Sequence, residues 1–272
     1  MKKFAAILLV LCMVLSMAAC GGNVEETKGT TAATTEATTE ATTEATTEAT
    51  SGETSGVMTH EQYMAAEADA PICIEAYVQD TQSWWDNKIS VYAEDENGGY
   101  FIYEMVCSEE DAAKLTAGAK IQVTGYKAIW SGLHEVASGA TFTFVEGAEP
   151  YVAEAEDVTT LLAGDMESYQ GCKVSFKGMT IEASQNPAGE DVAFLYGWDG
   201  SGEAGGNSDL YFKASVDGKT YTFVIEYYLR NESTEAYQTV QNLKVGDIVD
   251  MEGFVYWYEG IQPHVTSITV AE

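Results

Sequence analysis

Tryptophan and tyrosine are the residues whose placement in this sequence suggests chemistry. They stand in three short runs, Trp84-Trp85, Ile129-Trp130 and Tyr256-Trp257-Tyr258. Large rings carrying one polar atom are costly to leave wet, so such runs either pack or bind. As binders they stack on flat partners, and charge decides which partner suits them. Stacked nucleobases come with phosphates and call for accompanying cations. A neutral glycan tolerates an acidic surface, because carboxylates accept hydrogen bonds from hydroxyls. The chain has 13 Lys plus Arg against 43 Asp plus Glu. Residues 58–272 alone hold 10 against 36, a net charge of −26, so the acidity is not confined to the N-terminal tail. Nucleic-acid binders carry a basic face, and the densest basic grouping is only Lys114, Lys120 and Lys127. Trp84, Trp85, Trp130, Tyr256, Trp257 and Tyr258 are therefore the candidate ligand-binding residues. A glycan, peptide or protein is the expected partner, and nucleic acid is disfavoured. Burial of these rings in a structural or assembly role is the first alternative, and nucleic-acid capture outside the cell the less favoured second.

No catalytic constellation accompanies them. His60, His134 and His264 are tied by no motif to a nucleophile, and structural histidines are expected. Gly-x-Ser-x-Gly elbows, phosphate loops and His-Glu-x-x-His stretches are missing from the sequence. No catalytic residue and no cofactor is assigned, and a non-enzyme is expected. Asp199, Ser201 and Glu203 have the one-three-five spacing of a calcium loop. Ala204 stands where that loop needs Gly and Leu210 where it needs a bidentate Glu. A hairpin connection is the better reading, and no metal ligand is assigned. Cys73, Cys107 and Cys172 match neither zinc nor Cys-x-x-Cys spacing and read as buried or half-buried thiols. A Cys73–Cys107 disulfide would require their strands to lie side by side.

The N-terminus reads as an export signal. Lys2 and Lys3 precede an apolar run from Phe4 to Met17, and small Ala18 and Ala19 lead into Cys20. That run is shorter than the ~20 residues that span a bilayer core. An ordinary signal peptide cut near Ala19 is the alternative to lipidation at Cys20. Behind it, Thr34 to Ala49 is four copies of Thr-Thr-Glu-Ala. Such a stretch has no large apolar side chain to offset ordering entropy, and it reads as a low-complexity tether.

The elements that must position the aromatics come in two copies. At an offset of 128, Leu115, Gly118, Gly125 and Gly132 fall on Leu243, Gly246, Gly253 and Gly260. In the same way Ile121, Val123, Tyr126 and Leu133 fall on Val249, Met251, Phe254 and Ile261. Earlier, at an offset of 102, the alternation of Ile72, Ile74, Ala76 and Val78 is repeated by Val174, Phe176, Gly178 and Thr180. About 26 additional residues therefore separate the first strand from the helix in the second copy. Period-two alternation predicts strands over 72–79, 88–94, 99–106, 119–129 and 133–145, with a short helix opening at Ser108. In the second copy it predicts strands over 172–183, 191–198, 209–217, 219–229, 247–258 and 261–270, with a helix over 232–243. Five strands with a helix between the third and fourth is the element order of the OB-fold.

Strand, acidic helix and then Leu-x-x-Gly-x-x-Ile-x-Val-x-Gly resembles bacterial OB-fold domains. The layout with Leu15-Ser16-Met17-Ala18-Ala19-Cys20 in front, which resembles a lipobox, is similar to tandem OB-fold lipoproteins of Gram-positive bacteria. The resemblance implies an all-β protein with short helices: a signal peptide over 1–19, a disordered tether over 20–57, and OB-fold-like five-stranded barrels over 58–148 and 149–272. It also implies lipidation at Cys20 and a place on the outer face of the cell membrane. In an OB-fold the loops joining strands 1–2 and 4–5 flank one binding face. The first copy holds Trp84-Trp85 and Ile129-Trp130 in those loops, and the second holds Tyr256-Trp257-Tyr258 in its 4–5 loop.

Overall fold

A computed structural model of the protein describes residues 56–271. The expected signal peptide, Cys20 and nearly all of the tether lie outside the described residues.

The first barrel is entered through a short helix, α1 (His60–Ala65). It starts with a capping box in which Thr59 and Gln62 each accept the other's backbone N–H. Then come β1 (Pro71–Thr81), β2 (Lys88–Asp95), β3 (Gly98–Val106), α2 (Glu109–Ala112), β4 (Lys120–Trp130), β5 (Leu133–Val136) and β6 (Thr141–Phe144). Strand alternation sets the inside: Ile72, Ile74, Ala76 and Val78 of β1 pack with Ile121 and Val123 of β4 and Ile102 of β3. The strands close in the order β1-β2-β3-β5-β4-β1, with β5 parallel to β3 and every other pair antiparallel.

The second barrel repeats this order with insertions. Its elements are β7 (Glu156–Asp157), β8 (Lys173–Glu182), β9 (Ser184–Gln185), β10 (Asp191–Val192), β11 (Phe194–Tyr196), β12 (Leu210–Val216), β13 (Lys219–Ile225), α3 (Glu235–Gln241), β14 (Ile248–Phe254) and β15 (His264–Val270). They close as β8-β12-β13-β15-β14-β8, and the β13–β15 pair is again parallel. Both copies are closed five-stranded barrels of OB-fold topology, mostly β with few short helices.

The repeated residues do repeated work. Gly118 and Gly246 have φ of +89° and +92°, a conformation that side chains rarely adopt. Each donates its N–H to a first-strand carbonyl, Val78 and Ile181, at 2.8 Å. Gly125 marks a close approach, since a Cβ there would lie 2.8 Å from that of Ala140. At Gly253 the His264 backbone fills the same space.

Several boundaries differ from expectation for local reasons. The predicted 133–145 strand is broken by a turn at Gly139, whose φ is +90°. The helix opening at Ser108 is one turn long, and its cap is the Asp111 N–H donating to the Ser108 hydroxyl. The predicted 191–198 strand is two short pieces inside a long insertion between the first two strands of the second barrel. Cys73 and Cys107 are free thiols, as is Cys172. Cys73 lies on β1 and Cys107 just beyond β3, with β2 between those strands, so the side-by-side arrangement a disulfide needs does not form.

The barrels share a third apolar cluster. Tyr92, Phe101 and Leu133 of the first barrel are buried with Leu229 and Phe254 of the second, and Tyr256 and Trp257 pack against them. The Tyr92 ring stacks on Phe254 with centroids 4.3 Å apart, and its hydroxyl meets His264 Nδ1 at 2.8 Å. Arg230 pairs with Asp80 across the same seam.

Candidate ligand-binding cleft

The loop between β1 and β2 is a tight hairpin. Trp85 and Lys88 exchange backbone hydrogen bonds of 3.0 and 2.9 Å, and Asp86 and Asn87 between them have φ of +48° and +59°. Positive φ at both central positions is the type I′ geometry, which Asp and Asn tolerate better than most residues. The hairpin separates the two neighbouring indoles. Trp84 packs on the first-barrel core and donates its indole N–H to the Cys107 carbonyl at 2.8 Å. Trp85 stands 72% exposed at the rim of a cleft of about 370 Å³.

That cleft lies over the β2–β3 face of the first barrel. Gln82, Ser83, Trp85, Lys88, Ile89, Ser90, Tyr103 and Glu104 form one side, and Glu226 and Tyr228 of the second barrel form the other. A β-bulge shapes the floor. Ile89 pairs with Met105 and Val91 with Ile102, so Ser90 faces both Tyr103 and Glu104. Glu104 adopts φ +43° there, and its N–H donates to the Ser90 hydroxyl at 3.2 Å. The extra residue places Tyr103, 41% exposed, and Glu104 together at the cleft.

Two carboxylates with opposite environments line the space. Glu104 accepts from Lys88 Nζ at 2.8 Å and from the Ser138 hydroxyl at 3.0 Å, and these bonds hold its pKa below the ordinary carboxylate value. Glu226 closes the turn after β13 by accepting from the backbone N–H groups of Tyr228 and Leu229, and it also accepts from Gln82 Nε2 at 3.0 Å. Burial outweighs those donors and pushes its pKa up to about 7. Ser83 donates through both its N–H and its hydroxyl to the Tyr228 carbonyl, which ties the hairpin to the far wall. Tyr228, 52% exposed, completes the rim.

The remaining aromatics expected from sequence divide into two groups. Trp130 and Tyr258 meet each other, with centroids 5.2 Å apart, and both are exposed. Tyr256 stacks on His264 at 4.0 Å in the seam, and the Trp257 indole lies against Gly132. None of these four lines the cleft, whereas Trp85 does. Tyr103, Glu104, Glu226 and Tyr228 were missed. Ile102 and Met105 both face the core although they are three residues apart, and that break in alternation is the sequence signal of the bulge. Nothing local points to Glu226 and Tyr228.

His60 is buried edge-on to Tyr100 and meets the Gly99 carbonyl at 3.2 Å; burial lowers its pKa. His264 is buried, and burial pushes its pKa down to about 3. His134 faces Glu167 at 3.7 Å. Among the described residues no group of three or more His, Cys, Asp or Glu side chains is arranged to hold a metal ion. Asp199 instead accepts the Ser201 N–H in a local turn.

No protein-family model matches the sequence, and no curated protein matches it either. Solved structures similar in fold include the Ifi202 HINa domain in complex with a 20-bp double-stranded DNA: 12% identity, 75% of this chain, 96% of that one, TM-score 0.33. The p204 HINb domain is similar over 75% of this chain and 98% of its own, at 10% identity and TM-score 0.33. A replication protein A heterotrimer bound to single-stranded DNA is similar over 76% of this chain and 49% of its own, at 9% identity and TM-score 0.28.

Proposed function

We propose that this protein is a non-enzymatic binding module, held on the outer face of the cell membrane through lipidated Cys20, and that it takes a glycan in the cleft between its barrels. The observation that carries the ligand reading is the cleft itself. An indole is presented outward on a stiff turn, two tyrosines share the rim, and hydroxyl, amide and carboxylate groups lie between them. Such a lining stacks on sugar faces and hydrogen-bonds their edges. The volume is within the range of small-ligand sites.

Nucleic-acid capture is the second reading, because OB-fold barrels as a class also bind oligonucleotides. Against it, Lys88 is the one cation lining the cleft and is committed to Glu104.

Tryptophan fluorescence of residues 21–272, titrated with wall glycans, host glycans and single- and double-stranded DNA, tests both readings. A saturable shift with a glycan, lost in Trp85→Ala, is expected. Saturable binding of DNA alone would replace the glycan reading with the nucleic-acid one. The anchor is tested separately: palmitate label should enter the full chain expressed in a Gram-positive host and should not enter Cys20→Ser.

A further inference from the structure

We propose that the glycan recognised by this cleft carries free amino groups, so that the ligand is an amino sugar in its ammonium form. The inference rests on the glycan reading and deepens it.

The argument is charge complementarity inside a defined space. Two carboxylates and one cation line the cleft. Lys88 is bound to Glu104, which leaves Glu226 without a positive partner. Every group donating to Glu226 is neutral: the Gln82 amide and the N–H groups of Tyr228 and Leu229. Arg230 is close in sequence but is spent on Asp80 and on the carbonyls of Leu229 and Thr266. Behind Glu226 lies Asp209, whose carboxylate takes the Tyr227 N–H and whose charge adds to the negative field on Glu226. The space beside Glu226 is therefore partly desolvated and short of a cation, and an ammonium placed there would draw the half-ionised Glu226 into its charged form at neutral pH.

The rest of the rim suits a cation as well. Trp85, Tyr103 and Tyr228 are exposed on the same cleft. An ammonium near such ring faces gains from their quadrupoles as well as from the carboxylate, and indole is the best of the three rings for this. On a sugar the group that meets both demands is an amine on the ring. Acetylation would replace the ammonium by a neutral amide and leave Glu226 uncompensated. A polyanionic ligand would meet two carboxylates and no free cation.

The test is calorimetric titration of residues 21–272 with a glucosamine tetramer, an N-acetylglucosamine tetramer of the same linkage, and tetralysine. It is run at neutral pH in about 0.15 M salt, so that long-range attraction to the acidic surface is largely screened. The expected result is at least ~10-fold tighter binding of the glucosamine tetramer than of either other ligand, within the range of a desolvated cation–π contact. Trp85→Ala leaves the charge unchanged and Glu226→Gln keeps the shape; both should lose the preference while their thermal melts stay cooperative. Equal binding of the two tetramers would overturn the amine inference and leave the glycan reading standing. No binding of either would remove both. A preference that survives both variants would place the attraction elsewhere on the acidic surface and overturn the assignment to this cleft. Tetralysine binding as tightly as the glucosamine tetramer would make the ligand a basic peptide and overturn the inference.

Discussion

Lys127 makes the sharpest test of the energetics. Its side chain is 0% exposed, its Nζ has no hydrogen-bond partner, and that nitrogen sits 3.4 Å from the centre of the Tyr63 ring. Burial lowers its pKa from 10.5 to about 7, with Glu135 pulling the other way. A fall of that size corresponds to ~4–5 kcal/mol of penalty on the charged form. The Tyr63 face returns ~1–2 kcal/mol of it. Lys127→Met keeps the length of the side chain and removes the charge, so it should stabilise the protein by ~2–3 kcal/mol near neutral pH. For a unit of this size that is ~5–10 °C in melting temperature.

The sign with pH follows from which state holds the proton. The unfolded lysine is protonated below about 10.5, whereas the folded one resists until about 7. The penalty therefore grows as pH falls from 10.5 to 7 and is full below 7. Glu135, itself raised to about 7 by burial, loses its nearby cation in the variant only around pH 7, where Glu135 and folded Lys127 can both be charged; at pH 10 folded Lys127 is already neutral. The Glu135 effect trims the gain near pH 7, but the Lys127 penalty is the larger of the two, so the gain remains larger at pH 7 than at pH 10. Denaturant melts of wild type and variant at the two values read it directly. A variant less stable than wild type at pH 7, or a gain that does not grow between pH 10 and 7, would mean that Nζ has a partner and the reasoning fails.

Three further outcomes are expected. Glu94 has its pKa raised from 4.5 to about 7 by burial, so its folded form costs stability above 4.5 and most of all above 7; Glu94→Gln should gain roughly 2 kcal/mol at pH 8 and nothing at pH 4, by denaturant midpoint. Gly125→Val would drive a side chain into Ala140, 2.8 Å from the new Cβ, and should lose ~2–3 kcal/mol in a thermal melt followed by circular dichroism. The shared cluster under Tyr92 and Phe254 should make the two barrels unfold as one, with Phe254→Ala costing ~3–4 kcal/mol and keeping a single transition; two resolved transitions in the wild type would refute the coupling.

What was legible in sequence is what depends on period and on glycine. The offset of 128 carried Gly118 onto Gly246 and Gly132 onto Gly260, and those positions need the backbone freedom that made them recognisable. The strand order followed from five alternating segments and a helix between the third and fourth. The cleft was half legible. Trp85 was among the six aromatics read as candidate binders, and the structure shows why it alone of them reaches the cleft: the Asp86-Asn87 turn directs it away from the core. Tyr103 and Glu104 were hidden because a bulge shifts the phase of β3 after Ile102, and alternation counted straight through it. Glu226 and Tyr228 lay beyond reach for a different reason: they join the cleft only through the packing of one barrel on the other. The same packing explains Tyr256 and Trp257, which occupy a loop that flanks a binding face in a lone barrel and a seam in this pair.

The two copies differ most in the loop between their first two strands, which in the first barrel borders the cleft. Their 4–5 loops have stayed alike: Trp130-Ser131-Gly132 and Tyr258-Glu259-Gly260 turn through Ser131 at φ +49° and Glu259 at +55°, and the Glu259 N–H donates to the Ser131 carbonyl at 2.8 Å. Equivalent loops of the two barrels thus hold each other, with Trp130 against Tyr258. Their 1–2 loops differ. In the first barrel that loop is a tight turn carrying Trp85; in the second it is an insertion carrying β9, β10, β11 and Trp198, with Trp198 exposed. Connecting two strands does not by itself require an exposed indole over a cleft. On the glycan reading proposed above, this asymmetry favours the first barrel as the ligand's main contact, with the second supplying a wall through Glu226 and Tyr228. A cleft built from both barrels keeps its shape only while the seam holds, so Phe254→Ala should weaken glycan binding although Phe254 does not line the cleft. Unchanged affinity in that variant would mean that the first barrel binds alone and that Glu226 and Tyr228 are bystanders.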